Sequence, residues 1–384
     1  MEVYFDNSAT TRVFDSVRDI VVKTMTEDYG NPSAKHRKGM EAEQYVRQAA
    51  AEIARTLKVK DKEILFTSGG TESNNMALMG TAMANQRAGR HMISTRIEHA
   101  SVYNPLAFLE EQGYEVTYLT VDSEGHVSLA ELEAAIRPDT ILVSVMYVNN
   151  EMGAIEPVEE IASLVHGKNP SILFHVDAIQ AYGKLSIRPK KQGIDLMSVS
   201  AHKFHGPKGV GFLYIDERVK IRPLLYGGGQ QRDMRSGTEN VPGIAGMGQA
   251  AREIYTDHQQ KMEQITGLKD YMIDRMTELP GVTVNSLKGR KGAPQIVRVS
   301  FEGVRSEVLL HALEDKGVYV SSGSACSSNH PAISGTLKAI GVRRELLDST
   351  LRFSFGMFNT MEEVDYCMEV LRELLPVLRR YYRG

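Results

Sequence analysis

The sequence predicts an α/β protein: a large domain built on a mostly parallel seven-stranded sheet between helices, joined to a smaller α+β domain. Three observations carry this expectation. Short apolar, β-branched runs alternate with stretches of helical spacing up to about residue 255. Beyond that point long helical patterns dominate, with only a few strand-like runs. The length of 384 residues is enough for one large core with a smaller partner.

Taken in order, the strand candidates are Glu63 to Thr67, His91 to Thr95, Glu115 to Leu119, Ile141 to Val148, Ile172 to Val176, Asp195 to Val199 and Gly209 to Ile215. Helical spacing lies between and before them, as in Val46, Ala49, Ala50, Ile53 and Leu57. This rhythm is that of a sheet covered on both faces, in which ligands sit beyond the carboxyl ends of the strands. The later part reads as a helix from Gln259 to Glu278, strands near Val282 and over Gln295 to Phe301, a helix from Ser306, a strand Tyr319 to Ser321, and a closing helix from Met361. The expected division is therefore 15–255 for the large domain, with 1–14 and 256–384 forming the small domain, joined by the N-terminal strand.

Composition narrows the function. With 45 basic and 48 acidic residues interspersed, the net charge of −3 leaves no electrostatic footprint for nucleic acid. No apolar run reaches the roughly 20 residues of a membrane span, and the opening Met1-Glu-Val-Tyr-Phe5 has no leader pattern, so a cytoplasmic protein is expected. The only cysteines, Cys326 and Cys367, are too few for a disulfide framework and lack metal-ligand spacing, so no metal is expected. Small-molecule chemistry or protein partners remain.

Several stretches carry chemistry. Phe66-Thr-Ser-Gly-Gly-Thr-Glu-Ser-Asn-Asn75 closes a strand and opens a helix; Gly70 permits close backbone approach, and the free N–H groups at Thr71 and its neighbours form an anion site. It is no nucleotide P-loop, because the Gly-Lys-Ser/Thr ending is missing. An ordinary capped helix is the competing account. Asp177 ends a buried run with Gln180 three residues on. A buried carboxylate is costly unless it caps a helix or meets a cation, and the second option is the partner of a protonated ring nitrogen in pyridoxal 5'-phosphate (PLP) enzymes. Lys203, in Ser200-Ala-His-Lys-Phe-His205, follows the next apolar run and comes to the same sheet edge, as does His99 after the strand at 91–95. A strand-end lysine is usually a solvated charge and a lone histidine usually structural; their convergence with Asp177 and a phosphate cradle argues otherwise.

At many separate places the chain resembles the cysteine desulfurases, in the class V aminotransferase branch of the fold type I PLP enzymes. The matching stretches include Asp6-Asn-Ser-Ala-Thr-Thr11, Tyr29-Gly-Asn-Pro-Ser33, Thr67-Ser-Gly-Gly-Thr-Glu-Ser-Asn74, Glu98-His99, Val148-Asn-Asn-Glu151 and His175-Val-Asp-Ala-Ile-Gln180. They continue with Ser200-Ala-His-Lys203, Gly206-Pro-Lys-Gly209, Arg235-Ser-Gly-Thr238, Ser321-Ser-Gly-Ser-Ala-Cys326 and Leu351-Arg-Phe-Ser-Phe-Gly356. The resemblance implies that Lys203 carries PLP covalently, Asp177 pairs with the ring nitrogen, Gln180 bonds the ring hydroxyl and His99 stacks on the ring. It implies phosphate contacts from Gly70, Thr71, Ser200 and His202, with Thr238 supplied by the other subunit of a homodimer. Asn150 and Arg352 would hold the substrate carboxylate, a bidentate task suited to a guanidinium.

Cys326 lies in a stretch rich in Gly, Ser, Asn and Pro, where a thiolate on a loop can reach a site and accept sulfur. Cys367 instead falls on the apolar stripe Val364, Cys367, Met368, Leu371, Leu375 and Leu378. The implied reaction converts L-cysteine to L-alanine and leaves the sulfur on Cys326 as a persulfide, with His99 a proton carrier. A sulfur-acceptor protein follows: an iron–sulfur scaffold, a tRNA-thiolation enzyme or a thiamine-pathway protein. After Cys326 the chain reads Asn329-His-Pro-Ala-Ile-Ser-Gly-Thr336, where scaffold-feeding members have a Leu-Glu-Pro-Ser-type sequence. The rival readings are a selenocysteine lyase on the same scaffold and a non-catalytic protein of this fold serving as an interaction platform.

Overall fold

The structure is a computed structural model and describes residues 1–322 and 334–381. The strands formed among these residues are β1 (Val3–Tyr4), β2 (Ile64–Thr67), β3 (His91–Thr95), β4 (Glu115–Leu119), β5 (Thr140–Met146), β6 (Leu173–Asp177), β7 (Leu196–Ser200), β8 (Gly211–Ile215), β9 (Val282–Val284), β10 (Ile296–Phe301), β11 (Val318–Tyr319) and β12 (Thr350–Ser354). Seven of them form one sheet in the order β2-β8-β7-β6-β5-β3-β4. The β3–β4, β3–β5, β5–β6 and β6–β7 pairings are parallel, whereas β8 runs against both β2 and β7. The stretch from Ser200 to Gly211 is too short for a crossover helix, so the chain turns straight back and β8 is antiparallel.

Residues of β5 and β7 are buried throughout, as a sheet covered on both faces requires, and only the edge strand β4 is largely accessible. The Arg37–Leu57 helix buries Ala49, Ile53 and Leu57, the face its apolar spacing predicts, and packs on the Val241–Tyr255 helix. A second sheet is antiparallel, in the order β12-β10-β9, and β1 pairs in parallel with β11. The N-terminal strand thus joins the later part of the chain, as expected. In the Met361–Arg380 helix, Val364, Cys367, Met368, Leu371 and Leu375 are buried, and burial pushes the Cys367 thiol up to about 12. No helix among the described residues is long and apolar enough to cross a membrane.

Three boundaries differ from the sequence expectation. The run expected to reach Val148 stops at Met146; Val148 leaves the ladder to bridge Ile155, which turns the chain at Asn150. The strand expected over Tyr319 to Ser321 is Val318–Tyr319, with Ser321 in an isolated bridge to Arg352. β12 was not anticipated as a strand, since Leu351-Arg-Phe-Ser-Phe carries a buried arginine that interrupts the apolar signal.

His175 shows how the middle of the large sheet is tied. Its ring nitrogens lie 2.8 Å from Ser144 Oγ on β5 and 2.9 Å from Ser198 Oγ on β7. Burial pulls its pKa down to about 3, so the folded protein holds it neutral. The unfolded chain takes up a proton near the ordinary value of 6.5, so this residue loses stabilising effect as pH falls from 6.5 towards 3. Glu156, raised to about 8 by burial, works in the opposite sense between pH 8 and 4.5, so a difference measurement isolates the histidine. Urea midpoints of the protein and of His175→Gln, taken from about pH 7 down to about pH 4, should show the advantage of the native residue narrowing with acidity. A constant difference would mean that His175 is not held neutral.

Candidate active site

A cavity of about 400 Å³ opens at the carboxyl ends of the parallel strands. Its walls come from the ends of β5, β6 and β7, the start of the Gly70–Asn85 helix, the turn after β3, the N-terminal segment and β12. Lys203, His99, Asp177, Gln180, Gly70, Thr71, Ser200, His202, Asn150 and Arg352 all line it. Ten of the sequence-predicted residues therefore share one space.

Asp177 ends β6 and is 4% exposed. Its carboxylate accepts from Ile179 N–H at 3.0 Å and from Asn74 Nδ2 at 2.8 Å. Burial pushes its pKa up, while these donors, the Lys203 ammonium and the His99 ring when protonated oppose the rise. Asn74 also donates to Ser101 Oγ at 2.9 Å, and that hydroxyl lies 2.8 Å from His99 Nδ1. His99 is the N-cap of the Ala100–Glu111 helix: its Nδ1 accepts from Ser101 N–H at 3.1 Å, which places the proton of the neutral ring on Nε2.

Behind this network sits Glu98, half-buried as a residue, with Oε1 accepting from Thr95 Oγ1 at 2.9 Å and Met146 N–H at 2.8 Å. Burial and the nearby Asp177 charge hold its carboxyl well above the usual range. Both carboxyls are thus pushed towards the neutral form, Asp177 against the pull of its donors.

Lys203 ends the single 3₁₀ turn Ala201–Lys203 that follows β7. Its Nζ donates to the carbonyls of Ser8 and Ala9, each at 2.7 Å. The N-terminal segment is strapped over this turn by Thr11 N–H bonding the His202 carbonyl at 2.9 Å. Gln180 Nε2 donates to the same Ser8 carbonyl at 3.0 Å. Beneath the turn, Lys184 Nζ donates to the Lys203 carbonyl at 2.5 Å, and burial together with the Lys203 charge pulls Lys184 down to about 7. Burial and the charge of Lys203 also pull His202 down to about 4, so it is neutral near pH 7.

At the other side Arg352 is 2% exposed, with Nη1 donating to the Asn150 carbonyl at 2.8 Å and Nη2 to Asp6 Oδ1 at 2.9 Å. Thr238 is exposed and does not line the cavity; in the same segment Arg235 pairs with Glu72 of the Gly70–Asn85 helix at 2.9 Å. Cys326 lies outside the described residues. Residue-by-residue reading missed Ser8, Ala9, Ser101, Met146, Val148 and Ile179 in the lining, and Asn74 and Glu98 behind it. Asn74 and Glu98 stood inside the quoted motifs, but only the folded chain shows that Asn74 meets Asp177 and that Glu98 meets Met146 at the end of β5.

The chain matches the family Aminotransferase class-V over residues 3–367. It is 45% identical over 377 residues to a cysteine desulfurase IscS of Methanosarcina thermophila, covering 98% of this chain and 93% of that one. A solved NifS-like protein superposes with a TM-score of 0.93 at 40% identity, over 98% of this chain and all of the other (100%). SspA, solved in complex with cysteine, superposes with a TM-score of 0.81 at 33% identity, over 94% of this chain and 100% of the other. With its seven-stranded sheet, its cavity at the strand ends and these relatives over nearly its whole length, the chain belongs to the cysteine desulfurases of the class-V aminotransferase family, which are PLP-dependent enzymes.

Proposed function

We propose that the cavity holds PLP and takes sulfur from L-cysteine, releasing L-alanine and leaving a persulfide on Cys326 for a sulfur-acceptor protein. The observation that carries this is the convergence of Asp177, His99 and Lys203 on one cavity that also has a helix N-terminus. The residues fit the group. A Cβ at Gly70 would come within 2.2 Å of Ile179 Cδ1, so this backbone is kept bare beside the first N–H groups of the helix, where a phosphate is favoured. Thr71, Ser200 and neutral His202 supply further partners there, and the buried Asp177 carboxylate suits a protonated ring nitrogen.

When bound, PLP supplies an electron sink for the pair released at the Cα of an attached amino acid. Lys203 Nζ, held at the Ser8 and Ala9 carbonyls, anchors the cofactor and then takes the Cα proton. Asp177 would keep the ring nitrogen protonated, and the upward shift of Glu98 disfavours a second negative charge nearby. Gln180 bonds the ring hydroxyl. His99 covers the ring with its proton on Nε2, where it can be passed to the reacting group. Asn150 and Arg352 hold the substrate carboxylate. The Cys326 thiolate takes the sulfur as the C–S bond breaks.

The same proposal assigns residues 15–255 to a PLP-binding domain and 1–14 with 256–384 to a small domain. It makes the active unit a homodimer in which exposed Thr238 serves the partner's phosphate site, and it sets the enzyme in the cytoplasm, where thiols stay reduced. An L-cysteine substrate is supported by the similarity to SspA, which was solved with cysteine. The acceptor is an iron–sulfur scaffold or a thiolation enzyme for tRNA or thiamine, and radioactive sulfur from cysteine would identify which partner thiol becomes labelled.

Two experiments test this reading. Purified protein should be yellow, and borohydride should fix the cofactor to a peptide containing Lys203; a protein that cannot be loaded with PLP would sink the proposal. Cys326→Ser should still bind L-cysteine with a change in the cofactor spectrum, yet release alanine slower by about two orders of magnitude or more and form no persulfide. Unchanged alanine release from L-cysteine would refute the persulfide route, and activity kept only on L-selenocysteine would favour a lyase.

A further inference from the structure

Behind Arg352 lies a second buried arginine that no catalytic role absorbs. Arg298 on β10 stands directly opposite Arg352 on β12 and is 1% exposed. Its Nη2 lies 3.5 Å from Glu151 Oε2, and its Nε and Nη1 have no hydrogen-bond partner among the described residues. Burial pulls its pKa down to about 10, with Arg352 acting in the same direction and Glu151 against it, so it stays charged near neutral pH. A buried cation with unpartnered N–H groups is costly, and replacing such a pair by apolar groups is often neutral or stabilising. Stability alone gives no reason for it.

The contacts form a closed ring. Arg352 Nη1 holds the Asn150 carbonyl at 2.8 Å; Glu151, the next residue, faces Arg298; and Arg298 returns to Arg352 through the β10–β12 ladder. The turn that carries Asn150 and Glu151 is stiffened by Asn149 Oδ1, which accepts from Glu151 N–H and Met152 N–H, each at 2.9 Å. It is tied to the β9–β10 region by Ser286 Oγ on the Met152 carbonyl at 2.6 Å and by Ala293 N–H on the Gly153 carbonyl at 2.7 Å. Glu151 Oε2 also accepts from Ser334 Oγ at 2.5 Å, and that hydroxyl accepts from Leu337 N–H at 3.1 Å to cap the short helix that follows. Asn150 and Arg352 face the cavity; Glu151 and Arg298 do not line it.

We propose that Glu151 and Arg298 are positioning residues for carboxylate recognition: the pair sets the spacing of Asn150 and Arg352 and puts a second positive charge behind the guanidinium that meets the substrate. This rests on the reading that Asn150 and Arg352 bind the carboxylate of L-cysteine. Asp6 and Glu151 hold the two guanidinia in place before the carboxylate arrives, Asp6 at Arg352 and Glu151 at Arg298. Its affinity then depends on how both arginines are held.

The test removes both charges together, so that neither is left buried alone. In Arg298→Met with Glu151→Gln, the amide still accepts from Ser334 and the side-chain volumes are nearly kept. PLP-loaded protein is titrated, by cofactor absorbance, with L-cysteine and with cysteamine, which has the amine and thiol but no carboxylate. L-cysteine binding should weaken about tenfold or more, with cysteamine changed less than twofold. Arg298→Lys, which keeps the charge, should recover most of the loss. Thermal unfolding and the absorbance without ligand report whether the site is intact; if the double variant does not fold, Glu151→Gln alone is titrated in the same way. Equal weakening of both ligands, or of neither, overturns the positioning role. If the unsubstituted protein showed no spectral response to L-cysteine, the functional reading itself would fall and take this role with it. A response that the variant retained at full affinity would remove the positioning role alone.

Discussion

The interaction on which the site depends is the burial of the Asp177 carboxylate at the end of a central strand. A charge in the middle of a sheet covered on both faces has no water to solvate it, so the fold must supply donors. It does so from two directions: the Ile179 N–H just beyond the strand and the Asn74 amide from the Gly70–Asn85 helix, which also donates to Ser101 Oγ beside His99. Each of these donors is neutral, and they hold the carboxylate without cancelling its charge. The remaining negative potential is what a protonated ring would meet, and burial disfavours a second negative charge on Glu98 behind it.

A comparable economy governs the far wall. The N-terminal segment returns from β1 across the cavity mouth, where Ser8 and Ala9 take the Lys203 ammonium and Asp6 takes Arg352. Lysine and arginine on opposite walls are thus held by one short stretch of chain near the first residue. β1 pairs with β11 and Asp6 bridges Ser354, while Thr11 bonds the His202 carbonyl, so this stretch ties the smaller sheets to the turn after β7. The cavity therefore has the start of the Gly70–Asn85 helix on one side and Arg352, from the three-stranded sheet, on another.

Much of this was readable from residue order. The alternation of β-branched runs with helical spacing is a local property, and it led to seven strands and their mostly parallel pairing. The apolar stripe around Cys367 was equally local, and its burial followed. Strand ends were less readable: Val148 is as apolar as its neighbours, and only its bridge to Ile155 takes it out of the ladder. β12 was hidden because Arg352 breaks the hydrophobic pattern, although in the folded chain the residue is buried and paired with Asp6. A buried ion pair cannot be recognised from one of its members.

By itself, the sequence determined the covalent inventory and the family: a lysine after a strand, an aspartate at a strand end, a glycine pair opening a helix, and motifs from residue 6 to residue 356 that together resemble the cysteine desulfurases. These signals survive in one dimension because they depend on residue type and near neighbours. Tertiary structure alone decided which distant groups touch: Asn74 on Asp177, Ser8 and Ala9 on Lys203, Asp6 on Arg352, and Glu151 between Arg298 and Ser334. It also decided charge state, since the same imidazole or carboxyl titrates ordinarily in water and far from its usual value once burial removes solvent and sets one neighbour beside it. That is why His175 is neutral, why the Glu98 carboxyl is held well above its usual range, and why neither fact could be read from the order of residues.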